Sequence, residues 1–526
     1  MEDSLAPNDA QPQPLDIDRL EARVAESVRM GGAERVAQHH ARGRMTVRER
    51  VDALVDRGSF HEYARLAQSE LPQMRARTPA DGKVAGFATI EGRPVVVHGD
   101  DATVLAGSGG RVAMMKIKRS TDYAIRKGYP IINLGDAGGV RMPDNMGAAN
   151  MMGMSDINFG APRNRYVPNI ATILGECFGD PTWSAARADV VIMVKGTAMA
   201  VSGPKVLENA TGERVSATEL GGWELHARTT GLVDIFVDSE QECMDRVRQV
   251  LGFLPSNADE LAPRVETGDD PTRRLDDVLE LIPESKRKAF DMRRLLRMVV
   301  DNGEFVELKP LYDQSLITAL ARIDGQTVGI LANNSVSYGG AMGPGACEKA
   351  TSFICLCDSF HIPMVTFHDT PGFFVSKAAE ERKMPVKIMT FLDAWHQSTV
   401  PRIGVIVRKS YGIAHRNMIG ARMDADYLLA WPTADVSFMA PDNAVEVVYG
   451  RRIANADDPE SERAKFLAEV DRGSEPWEPA SVHLVDDVID PRDTRREVAF
   501  ALRRACGPSG KHVRSSRLLA NWPTGF

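Results

Sequence analysis

The sequence predicts an α/β protein made of two copies of one unit, and three observations carry that reading. The chain matches itself at an almost ungapped offset of 233 residues: Ile90, Lys116, Pro130, Asp136, Pro168 and Gly179 recur as Ile323, Lys349, Pro363, Asp369, Pro401 and Gly412. A shared apolar register that also aligns punctuating Pro and Gly is the mark of an internal repeat. Helix-like and strand-like segments alternate within each copy, which is the pattern of βαβ crossovers over a parallel sheet. Between the copies lies Pro255–Arg274, rich in Pro, Asp, Asn and Gly, the composition of a boundary.

The elements follow in order. A polar tail to residue 14 leads into a charged helical stretch, Leu20–Leu54, with apolar residues at helical spacing. Gly86–Ile90 and Arg93–His98 flank the two-residue turn Glu91-Gly92 and form a hairpin. Arg111–Lys127 is a helix, and Pro130–Leu134, Ile170–Leu174 and Val190–Val194 are buried strands. The second copy restarts with a helix at Met292–Asn302, a hairpin at Asp324-Gly325, a helix at Ala346–Phe360 and a strand at Met364–His368. A charged helix, Arg492–Ala505, closes the pattern. The domains expected are 15–262 and 275–526, after a disordered tail at 1–14.

Composition narrows the function. With 526 residues, 43% apolar and 26% charged, the chain is too long for one core and long enough for two domains. A net charge of −8 gives no electrostatic reason to expect nucleic acid or an anionic membrane as partner. Met1–Gln13 has neither a basic start nor an apolar core, so a cytoplasmic protein without a leader is expected. The six cysteines form no Cys-x-x-Cys pair, which argues against a zinc ribbon or a disulfide framework and for buried, reduced thiols.

Chemistry is expected at paired glycine turns. One strand of each copy runs into such a turn: Asp136-Ala137-Gly138-Gly139 and Asp369-Thr370-Pro371-Gly372. Glycine there lets backbone amides approach a ligand. Downstream, Gly179-Asp180 and Gly412-Ile413-Ala414 sit at one repeat position, and amides at such helix starts can hold a developing oxyanion. An isolated Gly-Gly is usually only a tight turn; its recurrence in both copies points to paired sites.

Asp81-Gly82-Lys83, Met193–Thr197, Gly203–Leu207, Thr211–Glu213 and Glu219–Gly222 resemble the carboxyltransferase β-subunit of biotin-dependent acyl-CoA carboxylases. The second copy agrees through Ala332–Asn334, Pro371–Phe373, Arg408–Gly412 and Trp431–Ala434, so the resemblance spans about Gly43 to Ala505 and is nearest the propionyl-CoA and methylcrotonyl-CoA branches. It implies two tandem crotonase-type domains, with a coenzyme A thioester in the first and carboxybiotin, supplied in trans by a biotin carboxylase/biotin-carrier α subunit, in the second. The active sites would be built across dimer interfaces of a hexamer. Gly179, Asp180, Ile413 and Ala414 would supply backbone oxyanion donors. Gly138, Gly139, Val140 and Arg141 would meet coenzyme A, while Gly372, Phe373 and Gly412 would line the biotin side. No metal is required.

The departures fall at working positions. The family's Ala-Gly-Gly-Ala is Phe178-Gly179-Asp180-Pro181, and its Tyr-Gly-Gly-Ala is Tyr411-Gly412-Ile413-Ala414, followed by His415 and Arg416. Pro181 has no amide to give, and an ionised Asp180 beside an enolate would cost roughly 1–4 kcal/mol. Asp180 must therefore point away, pair with a cation, stay protonated or serve another reaction. Arg416 is either a carboxylate clamp or half of a salt bridge; His415 is an acid–base group or a structural histidine. Lys383–Thr390 replaces small residues beside the biotin pocket with larger ones, with a proline at or near the helix start. Met114-Met115-Lys116 superficially resembles a biotin-attachment site, but it lies in a helix, whereas attachment needs a hairpin tip. The alternatives to carboxyl transfer are a biotin-independent acyl-CoA decarboxylase and a non-catalytic paralogue in a mixed hexamer.

Overall fold

The computed structural model describes residues 16–152, 164–507 and 517–522. The expected N-terminal tail lies outside these. Two sheets organise the chain. The first has seven strands in chain order across the sheet: His61–Glu62, Lys83–Ile90, Arg93–Asp100, Ile131–Gly135, Asn169–Ile173, Val190–Val194 and Ile235–Val237. The first three are antiparallel and the rest join in parallel, so crossovers are required from Asp100 onward. Glu176–Phe178 and Ala198–Ala200 leave this sheet and pair with each other.

The second sheet repeats the plan with Phe305–Leu308, Leu316–Ile323, Gln326–Asn333, Met364–Thr370, Arg402–Tyr411, Tyr427–Ala430 and Asp487–Val488. The correspondence holds to the residue in the hairpins. Lys83–Ile90 and Arg93–Asp100, advanced by 233, are Leu316–Ile323 and Gln326–Asn333. The turns agree as well, with φ 52° and 77° at Glu91 and Gly92 against 54° and 72° at Asp324 and Gly325. Paired positive φ angles of this kind give the hairpin turn whose twist matches its strands. The copies differ at the site end. The strand pair Asn169–Ile173 and Glu176–Phe178 is fused in the second copy into the single strand Arg402–Tyr411, whose end pairs with Asp435–Ser437.

The helix Arg111–Lys127 has the expected bounds and ends on Gly128 in the left-handed conformation. Its counterpart, Pro344–Ser359, is buried along nearly its whole length, as a helix enclosed by both copies must be. One apolar cluster joins Val51, Val97, Ile132 and Val247 to Leu320, Phe353, Trp395 and Met418, so the copies share a core. No helix or strand lies between Phe253 and Val278, where the boundary segment bonds to the second hairpin through Val265 N–H to Gly325 O at 3.0 Å. Residues 517–522 return to the first half, where Arg165 donates to the carbonyls of Leu519, Ala520 and Trp522. A helical hairpin, Pro441–Ala454 and Pro459–Gly473, is inserted in the second half, fastened by stacking of Tyr449 on Phe466 at 4.0 Å. All six cysteines are buried and none is in a disulfide. Among the described residues no helix is long and apolar enough to cross a membrane.

Candidate active site

In the first half, the strand Ile131–Gly135 delivers Asp136 to a turn fixed from three sides. Arg50 is fully buried and donates to Asp136 Oδ2 at 2.9 Å and to both carboxylate oxygens of Glu240 at 2.9 and 2.7 Å. It thereby locks two helices, Val47–Leu54 and Glu240–Phe253, to the turn. The Asp136 N–H donates to Asp100 Oδ2 at 3.0 Å. Gly175 leaves room for the Asp136 carboxylate, which a Cβ there would meet at 1.7 Å. In the second half, residue 408 occupies the Gly175 position, and Arg408 itself reaches Asp369 at 2.6 Å.

The two glycine elements of the first half touch. A Cβ on Gly139 would stand 2.8 Å from the Phe178 carbonyl, and one on Gly179 would stand 3.9 Å from Gly139 Cα. Both residues have positive φ, 97° and 70°. Their second-half counterparts Gly372 and Gly412 do too, at 122° and 59°. Gly179 caps the helix Asp180–Arg187. Its own N–H is bonded to Ala200 O at 3.1 Å, which corrects its assignment as an oxyanion donor: Gly179 shapes the turn, and Asp180 carries the amide that points out of the helix. Likewise the Gly138 N–H is taken by Ala106 O at 2.9 Å. Among the described residues, the amides of Gly139, Val140 and Asp180 have no such acceptor.

Arg141 also differs from expectation. Its guanidinium turns inward, donating to both oxygens of Asp144 at 2.7 and 2.8 Å, to Asp81 and to Ser108 O at 3.1 Å. Only 3% exposed, it holds the loop after Gly139 and has no face to offer a phosphate. Asp144 lies only three residues on, but Asp81 comes from 60 residues upstream, which spacing in the sequence does not reveal.

In the second half, Ile413 and Ala414 are the second and third residues of the helix Gly412–Asn417, so their amides have no intrahelical acceptor. The Ile413 side chain is exposed rather than packed into this chain. Phe373 packs half-buried against the core, while Met342 N–H donates to Gly372 O at 3.1 Å and Phe374 N–H to Met342 O at 2.9 Å. Pro385 lies in the first turn of the helix Met384–Gln397, which shows Val386 and Met389 to solvent. Arg416 is exposed and makes no ion pair among the described residues.

His415 has both ring nitrogens engaged. Its Nε2 accepts the Ala421 N–H at 2.9 Å, which puts its proton on Nδ1, facing Ser410 Oγ at 2.8 Å. Ser410 in turn meets His368 Nδ1 at 3.1 Å, and His368 Nε2 meets Thr366 Oγ1, whose hydroxyl donates to Met418 O. Burial, with the nearby Arg416 charge, pulls the His415 pKa down to about 4. This chain of bonds pins the loop at Gly420–Ala421, and no ring nitrogen is left for a substrate.

Sequence reasoning passed over two charged residues whose fields reach Asp180. Lys83, 3% exposed, donates to Asp100 Oδ1 at 2.5 Å across the first hairpin. Lys83 stood within the Asp-Gly-Lys motif, but nothing in the sequence linked it to Asp180.

This scaffold of two fused αβ copies with amide-lined turns has known counterparts. The carboxyl transferase domain family matches residues 38–509, and the chain belongs to it. The propionyl-CoA carboxylase carboxyltransferase subunit of Haloferax mediterranei is 35% identical over 94% of this chain and 98% of its own length. The methylmalonyl-CoA decarboxylase subunit alpha of Veillonella parvula is 36% identical over 92% and 95%. Among solved structures, the transcarboxylase 12S hexamer core with methylmalonyl-coenzyme A and methylmalonic acid bound superposes with a TM-score of 0.89 at 33% identity, covering 95% of this chain and 96% of that one. The fold is therefore the tandem crotonase-type α/β architecture. The chain is a carboxyltransferase subunit of the acyl-CoA carboxylase and transcarboxylase type.

Proposed function

We propose that the chain moves a carboxyl group from carboxybiotin, carried by a separate biotin carboxylase/biotin-carrier subunit, to the α- or vinylogous carbon of a short acyl-CoA. The observation that carries this reading is the pair of amide-bearing helix starts, Asp180 and Ile413-Ala414, at one position of the 233-residue repeat. Amides placed this way stabilise charge that develops on a carbonyl oxygen. The acyl thioester occupies the first-half crevice, its enolate oxygen met by amides of the Gly139, Val140 and Asp180 turns. The second-half residues fit a ureido ring, because the space beside Gly372 is open, a Cβ there touching nothing within 4 Å, and the Ile413 and Ala414 amides are available. Bound carboxybiotin supplies the carboxyl group.

The exposed apolar side chains around the second turn, Tyr338, Val375, Ile413 and Phe438, support a site completed by a second copy, and hence a hexamer like that of the transcarboxylase core. Arg416 grips a substrate carboxylate. A cytoplasmic address fits this metabolism.

A second reading, biotin-independent decarboxylation, is favoured by Asp180, an acid beside the acyl site. The test is turnover of methylmalonyl-CoA by the purified chain, followed by mass spectrometry. Decarboxylation dependent on added biotin supports carboxyl transfer; equal turnover without biotin overturns it in favour of the second reading.

A further inference from the structure

The repeat supplies an internal control for the charges at the acyl side. Lys83 and Asp100 are cross-strand neighbours in the first hairpin, and at the same register the second copy has Leu316 and Asn333. Asp100 and Asn333 do the same structural work. The first accepts the Asp136 N–H at 3.0 Å and the second accepts the Asp369 N–H at 3.2 Å. The neutral pair is fully buried, so this fold closes without an ion pair there. Volume compensates as well: Gly109 leaves space for Lys83, whose Cε a Cβ would meet at 3.3 Å, and its counterpart Met342 is a buried core residue beside Leu316. The third difference is Asp180 against Ile413. Three charged residues in the acyl half thus replace Leu, Asn and Ile.

Burying Lys83 against the partly buried Asp100 strips water from both ions before their mutual attraction is counted. A neutral solution at the same register makes that desolvation unnecessary for folding. Asp180 has a complementary anomaly: its half-buried carboxyl makes no hydrogen bond or ion pair among the described residues. It stands at the start of its helix, beside the amides of the Gly139 and Gly179 turns.

We propose that Asp180 is the acid–base residue for the acyl-CoA α-carbon, with Lys83 and Asp100 as its positioning residues. This rests on the acyl-CoA occupying the first-half crevice. In one direction the α-C–H bond breaks, its proton forms an O–H bond on the Asp180 carboxylate, and the electron pair moves to the thioester oxygen as an enolate. In the other direction the Asp180 O–H bond breaks and the proton returns to carbon. The turn amides meet the oxygen throughout. The charge environment suits this exchange. Burial raises the Asp180 pKa above the usual carboxylate range, Lys83 opposes that rise, and Asp100 adds to it. Burial pulls Lys83 down, but Asp100 and Asp180 more than restore it, so it stays a cation. The other titratable side chains on the strands packed against that helix are Glu176, which is exposed, and Cys177, whose thiol burial pushes far up.

The experiment is α-proton exchange. The full-length chain is incubated with propionyl-CoA in D2O without biotin, and α-deuterium is followed by mass spectrometry while calorimetry measures binding of the same thioester. The wild type is expected to exchange without biotin, with a rate that rises with pH as the Asp180 carboxylate forms. Asp180→Asn is expected to bind propionyl-CoA normally and exchange about 10²–10⁴-fold more slowly. The double variant Lys83→Leu/Asp100→Asn carries the pair the second copy already uses. It is expected to fold and bind, but to move the inflection of the pH profile upward, since Lys83 acts on Asp180 more strongly than Asp100 does. Binding without exchange in the wild type, or undiminished exchange in Asp180→Asn, overturns the assignment and leaves the carboxyltransferase reading standing. Failure to bind any acyl-CoA overturns both.

Discussion

Replacing Gly139 with alanine tests whether contact between the two glycine turns sets the geometry of the acyl site. The new Cβ would lie 2.8 Å from the Phe178 carbonyl oxygen, well inside ordinary contact, and both partners are backbone. Relief requires the turns to part by about half an ångström, and an L-residue at φ 97° adds strain of roughly 1–3 kcal/mol. Because a misplacement of about 1 Å costs on the order of a hundredfold in rate, kcat should fall about tenfold or more. Gly138→Ala is the matched control: its Cβ would find nothing nearer than Ala106 O at 3.7 Å. Biotin-dependent decarboxylation of methylmalonyl-CoA, with kcat and KM determined separately, reads the difference. The reasoning is refuted if Gly139→Ala keeps the wild-type kcat, or if Gly138→Ala loses as much.

Arg50→Met strands the buried carboxylates of Asp136 and Glu240 and should destabilise the chain by roughly 3–5 kcal/mol, seen as a lower urea midpoint; an unchanged midpoint would show that the ion cluster contributes nothing. His98 and His415 are buried with pKa values of about 4, against about 6.5 when unfolded. Their neutral forms contribute stability that is complete above pH 6.5 and lost as pH falls toward 4, roughly 3 kcal/mol for each. Urea midpoints should therefore already decline between pH 6.5 and 5, above the ordinary carboxylate range, and a level profile there counts against it. Arg416→Ala should raise KM for methylmalonyl-CoA about tenfold to a hundredfold, the worth of a charge-assisted hydrogen bond, and leave KM for propionyl-CoA unchanged; equal effects on both would remove the carboxylate clamp.

The sequence is most legible where local chemistry decides. Glu91-Gly92 and Asp324-Gly325 announce hairpins because few residues accept two successive positive φ angles, and Arg111–Lys127 carries a helical period closed by Gly128. The 233-residue offset exposes the repeat because its spacing survives changes in side chains. Legibility ends where partners come from afar. Arg141 has the residue type of a phosphate ligand, and only the folded chain brings Asp81, 60 residues upstream, onto it. The Gly179 amide is lost to Ala200 by a strand pairing that leaves no local signature. Nearness along the chain is not enough either: Ser410 and Ala421 stand close to His415 in sequence, yet their bonds to its ring appear only in the fold. Lys83 and Asp100 gain meaning only against Leu316 and Asn333, a comparison that needs the register of both hairpins.

The two copies anchor the acid before their glycine turns differently. Asp369 is held by Arg408, from the neighbouring strand; Asp136 is held by Arg50, from the helix Val47–Leu54, whose counterpart Met292–Val299 stands ahead of the second sheet and, among the described residues, makes no ion pair with Asp369. The same acid is thus anchored along the sheet in one half and from the helix layer in the other. Removing the chain through Val47–Leu54 would therefore release the acyl-side turn while sparing its twin, although both copies possess the helix.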